Sequence, residues 1–383
     1  MRSFDSLFEI SGVIDAVTLY RMDVSVERHF SFGSWSSRQH GLLKIASGEE
    51  YGWGEEVMAV NTEDLELAQW SVGLERLSGM TVGNALLFVQ SMLEDWGTRK
   101  CEMVEMALID LAGKLLRKSS IELLGLTGTK PVPGLYCVLE KDEESVEARA
   151  KEAVAQGYRR YLKVKLFGDP LVDERVVRAA RHVMGEEAYI VGDVNTGYRM
   201  RQSEASVDDI AAQLLRLQRC GLSACEDPAA LDRDQWVTLQ KMVGSLDLIP
   251  DYPLRPARKA IHTLVPGMGA IFNIHPGAMG SLLEAIKLAE KIDGFGGGIM
   301  IGDNSLIGPA CTVWQQLAIG LQAEWVEALE KKEESESFLQ CLVSRKTSSL
   351  KDGKVAVSGE GFGFALQLDE QALDGMSVHQ IRL

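Results

Sequence analysis

Hydrophobic and polar positions follow two different rhythms along the chain. Up to about residue 127, "DAVTLYRMDVSV" (15–26) and "HGLLKIAS" (40–47) read as strands, followed by a turn at "EEYGWGEE" (49–56). Three stretches then place apolar residues three and four apart, the spacing of one helix face: "TEDLELAQWSVGLERL" (62–77), "NALLFVQSMLEDW" (84–96) and "CEMVEMALIDLAGKLLRK" (101–118). Residues 1–127 are therefore expected to form a small α+β unit. From Pro131 the rhythm becomes short apolar runs separated by amphipathic segments: "VPGLYCVL", "RYLKVKLFG", "AYIVGDVN", "LSACEDP", "LDLIPDYP", "AIFNIHPG" and "GGIMIGDN". Strands alternating with helices at this spacing indicate repeated βα units and a parallel sheet. Seven runs in succession favour a closed (β/α) barrel over residues 128–322. Residues 323–383 begin with a charged helical pattern, "AEWVEALEKKEESESFLQCL", and "DGKVAVSGEGFGFALQLDEQAL" then predicts a hairpin and a short helix that return to the first unit.

Composition removes several partners. With 40 basic against 55 acidic residues the formal charge is -15, a field that repels phosphate backbones and anionic lipid, so neither nucleic acid nor a membrane surface is expected. Between Lys259 and Glu284 no Asp, Glu, Lys or Arg occurs, but Pro266, Gly267, Gly269, Pro276, Gly277 and Gly280 break any membrane span there. Asp5, Glu9 and Asp15 interrupt the first residues where a secretory signal needs an apolar run, and the six cysteines form no CxxC pair; a cytoplasmic location follows as the expectation. "GFGGGIMIG" fails the GxGxxG spacing and precedes a strand, which weakens a nucleotide-binding reading.

The chemistry collects at the ends of the apolar runs. In order these carry Lys163 and Lys165, Asp193 with Asn195, Glu226 with Asp227, Asp251, His275, and Asp303 with Asn304. In a barrel the C-terminal strand ends converge on one mouth, so residues 25 to 30 apart in sequence become neighbours. Lys163 and Lys165 are two apart on a strand and project to the same side, toward the barrel interior, while Leu162, Val164 and Leu166 face the outer helices. Three carboxylates on consecutive strands, Asp193, Glu226 and Asp251, repel one another unless a cation lies among them. Hard oxygen ligands suit Mg²⁺, with Mn²⁺ as the alternative.

With these residues in order, KxK, "DVN", "EDP" and an Asp ending the fifth strand, the chain resembles the enolase superfamily in its mandelate racemase and muconate lactonizing branch. "EMALIDLAGKLL" and "GFGFALQLDEQAL" are similar to that family's capping-domain helix and closing segment. The resemblance implies an enolase-like modified TIM barrel capped by an N-terminal α+β domain that the C-terminal segment completes. It implies that Asp193, Glu226 and Asp251 bind Mg²⁺, that the carboxylate of a small carboxylic acid chelates the metal, and that Lys165 removes the α-proton to give an enediolate. Lys163 would neutralise substrate charge and lower the pKa of Lys165. Asn195 and Asn304 join the substrate-binding candidates, together with Trp35 and Arg38 from a capping loop over residues 28–41 in which Phe30 and Phe32 supply apolar contact. A homo-oligomer is also expected.

The chain departs from the family at the sixth strand, where a lysine is usual in the muconate branch and His275 stands instead. The racemase branch has Asp then His on its sixth and seventh strands; this chain has His275 then Asp303. Either the two form a dyad with exchanged roles or His275 is a hydrogen-bonding group in the mouth. Three functions stay open: an isomerase with Lys165 and His275 on opposite faces of the substrate, a lyase in which His275 protonates a leaving hydroxyl, and a metal-binding relative without turnover.

Overall fold

Three long strands open the chain, β1 (Ala16–Phe30), β2 (Gly33–Ser47) and β3 (Glu50–Val60), paired antiparallel with Val17 opposite Ile45 and His40 opposite Val57. The computed structural model describes residues 2–200, 205–304, 308–329, 341–344 and 346–383. β3 replaces the turn expected at 49–56. Gly52 and Gly54 have a different purpose there: a Cβ on either would collide with the backbone carbonyl of Ala107 or Met103, so the glycines let a helix lie directly on the strand. That helix is α2 (Leu93–Leu116), which follows α1 (Val82–Ser91), turns at Gly97 with φ 73° and is buried from Lys100 to Gly113. The helix expected over 62–77 is two short pieces, Leu67–Ser71 and Leu74–Leu77, separated by Gly73 at φ 90°.

Eight short parallel strands follow: β4 (Tyr136–Val138), β5 (Tyr161–Lys165), β6 (Tyr189–Asp193), β7 (Ala224–Glu226), β8 (Asp247–Ile249), β9 (Ile271–Ile274), β10 (Gly298–Ile301) and β11 (Trp325–Val326). Backbone bonds close them into a barrel. Ala270 N donates to Leu248 O (3.1 Å) and Asn273 N to Pro250 O (3.0 Å), joining β8 to β9, while Leu135 N donates to Val326 O (2.8 Å), joining the first strand to the last. Helices α3 (Glu143–Ala155), α4 (Pro170–Met184), α5 (Val207–Arg219), α6 (Arg233–Val243), α7 (Ala257–Thr263), α8 (Leu282–Asp293) and α9 (Pro309–Leu321) link successive strands. β11 lies beyond residue 322, the expected end of the barrel, in a stretch whose charges suggested helix. Residues 330–340 of that stretch lie outside the described residues.

Alternation along the strands sorts the core. Leu162 and Val164 turn outward under the helices with no exposure, whereas Val191, Ala224, Ile249, Ile271, Met300 and Trp325 plug the interior. Lys163 pairs in register with Val191 and Lys165 with Asp193, so both lysines point into the barrel, one layer above the other. The C-terminal segment returns to the first unit as expected: β12 (His379–Arg382) pairs with β1, Thr18 opposite Arg382. Among the described residues no helix is long and apolar enough to cross a membrane, and none of the six cysteines is in a disulfide.

The cap is fastened to the barrel by buried carboxylates of α2. Glu105 accepts from Ser281 Oγ (2.8 Å) and from the first backbone N–H groups of α8, Leu282 and Leu283, where the helix dipole favours negative charge. Burial nevertheless pushes its pKa from 4.5 up to about 7. Between those values the folded chain holds a proton that the unfolded chain has released, so this group's contribution to stability falls as pH rises from 4.5 to 7. Glu105→Gln is expected to lack that decline, so the difference between variant and wild-type unfolding free energies changes by about 3 kcal/mol between pH 4.5 and 8; denaturant melts at the two pH values measure it, and a pH-independent difference would refute the assignment.

Candidate active site

Strand register builds the centre of the mouth. Lys165, Asp193 and Glu226 are direct neighbours across β5, β6 and β7, and Asp251 follows two residues after the end of β8. The backbone turns sharply here: Asn195, Thr196 and Asp227 have positive φ (47°, 62° and 40°) although none is glycine. Such strain is retained where surrounding contacts over-determine a geometry. For Asn195 the contacts are visible, its N–H donating to Asp193 Oδ1 (3.0 Å) and its Oδ1 accepting from Lys165 Nζ (3.0 Å). For Asp227 they are the Asp251 and Tyr252 N–H groups, both at 3.0 Å from its carboxylate.

Lys163 Nζ lies 3.1 Å from Asp193, 2.8 Å from Glu226 and 2.8 Å from Glu327. Burial works against its charge, but the three carboxylates outweigh burial and hold its pKa well above the ordinary lysine value. Lys165 pairs with Asp193. Burial and, as expected, Lys163 push its pKa down, yet the Asp193 carboxylate prevails and the net shift is upward. The depressed Lys165 pKa expected from like-charge repulsion is therefore corrected: the neighbouring carboxylate decides the sign. Asp251 is engaged at both oxygens by Arg255, through Nε at 2.9 Å and through Nη2.

Two of these residues escaped the sequence reading. Glu327 follows β11, a strand of two residues whose apolar pair Trp325–Val326 was hidden among charges; its signal was position, 24 residues after Asp303. Arg255 is the fourth residue past Asp251 and belongs to no strand end. Among the other candidates, Trp35, Asn195, Asp303, Asn304, Lys165 and His275 line one cavity, together with Arg28, Phe30, Phe32, Arg99, Arg255 and Glu327. Arg38 is fully buried, because residues 33–47 form β2 rather than a loop and Arg38 lies between Val24 and Val60 of the flanking strands. Asn304 Nδ2 donates to Glu56 Oε1 (2.8 Å), tying the seventh barrel strand to the cap.

His275 Nδ1 is 2.8 Å from the Pro276 carbonyl. A carbonyl only accepts, so Nδ1 carries the proton and Nε2 holds the free lone pair. The Nδ1 proton is thus taken by the Pro276 carbonyl, where the expected dyad would have given it to Asp303. Burial, reinforced by the Arg255 charge, lowers the His275 pKa to about 4, which leaves the imidazole neutral at pH 7.

Whether this mouth suits a divalent cation is answered by its charges. Asp193, Glu226, Asp227, Asp251 and Glu327 are all buried, and the cations that meet this group among the described residues are Lys163, Lys165 and Arg255. Burial and the charges of Asp193, Asp251 and Glu327 push the Glu226 pKa up to about 8 despite Lys163, and its Oε2 has no aligned hydrogen bond. A surplus of buried carboxylates over cations, which without a further positive charge holds Glu226 and Asp227 toward the neutral form, together with hard oxygen donors fits Mg²⁺. Among the described residues no three such ligands surround a common point, since Lys163 and Arg255 stand between them, so the carboxylates must exchange these partners to close on an ion.

Residues 145–372 match the family model described as "Enolase C-terminal domain-like". The chain is 27% identical over 286 residues to an N-succinylamino acid racemase of Thermus thermophilus, covering 72% of this chain and 74% of that protein. Its fold is similar to that of a muconate lactonizing enzyme from Pseudomonas fluorescens complexed with muconolactone (TM-score 0.80, 18% identity, 96% of this chain and 100% of that one). It is also similar to that of a dipeptide epimerase from Cytophaga hutchinsonii complexed with Mg and the dipeptide D-Ala-L-Val (TM-score 0.78, 16% identity, 97% and 99%).

Proposed function

Because the chain belongs to the enolase C-terminal domain-like family and is an isomerase or lyase of that superfamily, we propose that it racemises or epimerises the α-carbon of a small N-acylated amino acid. The observation that carries this reading is that two side chains able to transfer protons line one cavity, Lys165 on the second barrel strand and His275 after the sixth. In a closed barrel of eight those strands are half a turn apart, so the two groups address opposite faces of a substrate held between them. Either group can hold or release a proton: the one that is unprotonated removes the α-proton on its face while the other, protonated, delivers one on the opposite face, and the exchange leaves the pair set for the reverse direction.

Asp193, Glu226 and Asp251 would hold Mg²⁺, which supplies the positive charge that makes an α-proton beside a carboxylate acidic enough to leave. Lys163 adds fixed positive charge beside the same carboxylates. Phe30, Phe32 and Trp35 offer apolar contact to an acyl tail, and Arg28 and Arg99 suit a terminal carboxylate on it. Dehydration would need a protonated imidazole at the leaving hydroxyl; the low His275 pKa favours isomerisation instead.

The test is proton NMR in D₂O with Mg²⁺ and a panel of N-succinyl amino acids and dipeptides. Loss of the α-proton signal with inversion of configuration is expected for at least one compound. A keto product would mark a lyase, and stabilisation by a ligand without exchange would mark a binding protein. Mg²⁺ alone is expected to raise the melting temperature, by about 2.7 kcal/mol of stability at a hundredfold excess over Kd, and Asp193→Asn, Glu226→Gln and Asp251→Asn are each expected to remove that shift. A wild-type melting curve indifferent to Mg²⁺ and EDTA would sink the metal assignment.

A further inference from the structure

The loop that carries His275 is held by the cap, through one face of α2. Thr98, Glu102 and Glu105 lie on successive turns of that face and contact residues 277–283. Gly277 is gripped at both backbone groups: its N–H donates to Glu102 Oε1 (2.6 Å) and its carbonyl accepts from Thr98 Oγ1 (2.8 Å). Glu102 Oε2 accepts a second backbone N–H, from Gly280 (2.9 Å). Gly277 has φ 76°, and a Cβ there would strike Asn304 and Glu56, so the loop has one seat.

The Gly277 N–H and the Pro276 carbonyl belong to the same peptide group. Glu102 holds the N–H end of that group, and His275 Nδ1–H is bonded to its carbonyl end. We infer that Glu102 is a positioning residue for His275, acting through the Pro276–Gly277 peptide to fix which imidazole nitrogen carries the proton. In a trans peptide the N–H and C=O point in opposite directions, so a fully buried carboxylate in the cap reaches a barrel imidazole through one amide. Both Glu102 oxygens accept backbone N–H groups, although burial and the Glu56 charge raise its pKa well above the ordinary value, and hydrogen bonds in such a chain polarise one another, which makes the carbonyl a better acceptor and the far nitrogen, Nε2, a better base. The arrangement does for His275 what the expected Asp303 carboxylate would have done directly. Its catalytic consequence rests on the proposed role of His275 in proton transfer; the structural relay does not.

Protein labelled with ¹⁵N-histidine, with Mg²⁺ present and His275 assigned by comparison with His275→Asn, reports the tautomer by NMR without any substrate. Wild type is expected to show His275 protonated at Nδ1 alone. Glu102→Gln, which presents an amide to two backbone donors, is expected to give a mixture of tautomers and to slow α-proton exchange on the His275 face by about ten- to a hundredfold while exchange on the Lys165 face is kept, measured with whichever N-succinyl amino acid or dipeptide exchanges fastest. Thr98→Val loosens the same loop without touching the relay and is expected to leave the tautomer alone. If Glu102→Gln does not fold, Glu102→Asp, whose carboxylate is withdrawn by one methylene, is expected to shift the tautomer in the same direction. An unchanged tautomer in the folded Glu102 variant, or an equal change in Thr98→Val, overturns the relay. A shifted tautomer with normal exchange on both faces upholds the relay and overturns the proton-transfer role of His275.

Discussion

Lys165→Ala is expected to abolish α-proton exchange on its face of every substrate the protein accepts and to lower net turnover by two to four orders of magnitude, about the range for losing a general acid–base group. The expectation follows from position: Lys165 is the cation of the mouth that both lines the cavity and touches Asp193 and Asn195. Lys163 is one layer deeper, enclosed by three carboxylates and absent from the cavity lining, so its loss is expected to weaken binding and rate together without setting which face exchanges. Deuterium incorporation followed by NMR distinguishes the two. Wild-type exchange in Lys165→Ala would place the acid–base group elsewhere in the mouth.

His275→Asn carries the second large effect, and it separates the reactions. A two-base isomerase that loses one base keeps exchange on the other face: deuterium is expected to enter the enantiomer presented to Lys165 with retention, while conversion between enantiomers falls to background. Asparagine preserves size and hydrogen bonding to the Pro276 carbonyl, so the fold is expected to survive; circular dichroism and the Mg²⁺-dependent melting shift check this. Undiminished interconversion in His275→Asn would leave Lys165 performing both proton steps. Asp303→Asn is expected to have a smaller effect, because Asp303 lines the cavity while the Nδ1 proton of the imidazole goes to the Pro276 carbonyl.

The barrel was legible because its periodicity is local. Each apolar run is short, each ends in a polar residue, and alternation along residues 161–165 places both lysines on one face before any contact is known. The same pattern put Asp193, Glu226 and Asp251 at successive strand ends, and the C-terminal return to the first sheet was expected, but not its means: residues 354–357 pair with 347–349 and 367–368 with 342–344 instead of forming one hairpin, and the strand that joins β1 is 379–382. What failed was wherever a local preference was overruled by a distant neighbour. Gly52 and Gly54 suit a turn on their own and a strand only because α2 rests on them. Trp325–Val326 is too short to announce a strand, and becomes one by closing the barrel against Leu135. Arg38 reads as a loop cation until β1 and β3 enclose it.

The site divides in the same way. Residue type and spacing along the chain determined which side chains enter the mouth, since a strand has only two faces and a closed barrel has one interior. Their electrical state was decided by tertiary structure. Lys165 is held charged by a carboxylate 28 positions away, Glu226 is pushed toward neutrality by burial among Asp193, Asp251 and Glu327, and the His275 tautomer is set by a peptide whose other end is bonded to Glu102. Proton affinities depend on distance and burial, which are properties of the packed chain; the alternation of side chains along a strand is a property of the backbone, and it can be read from the sequence alone.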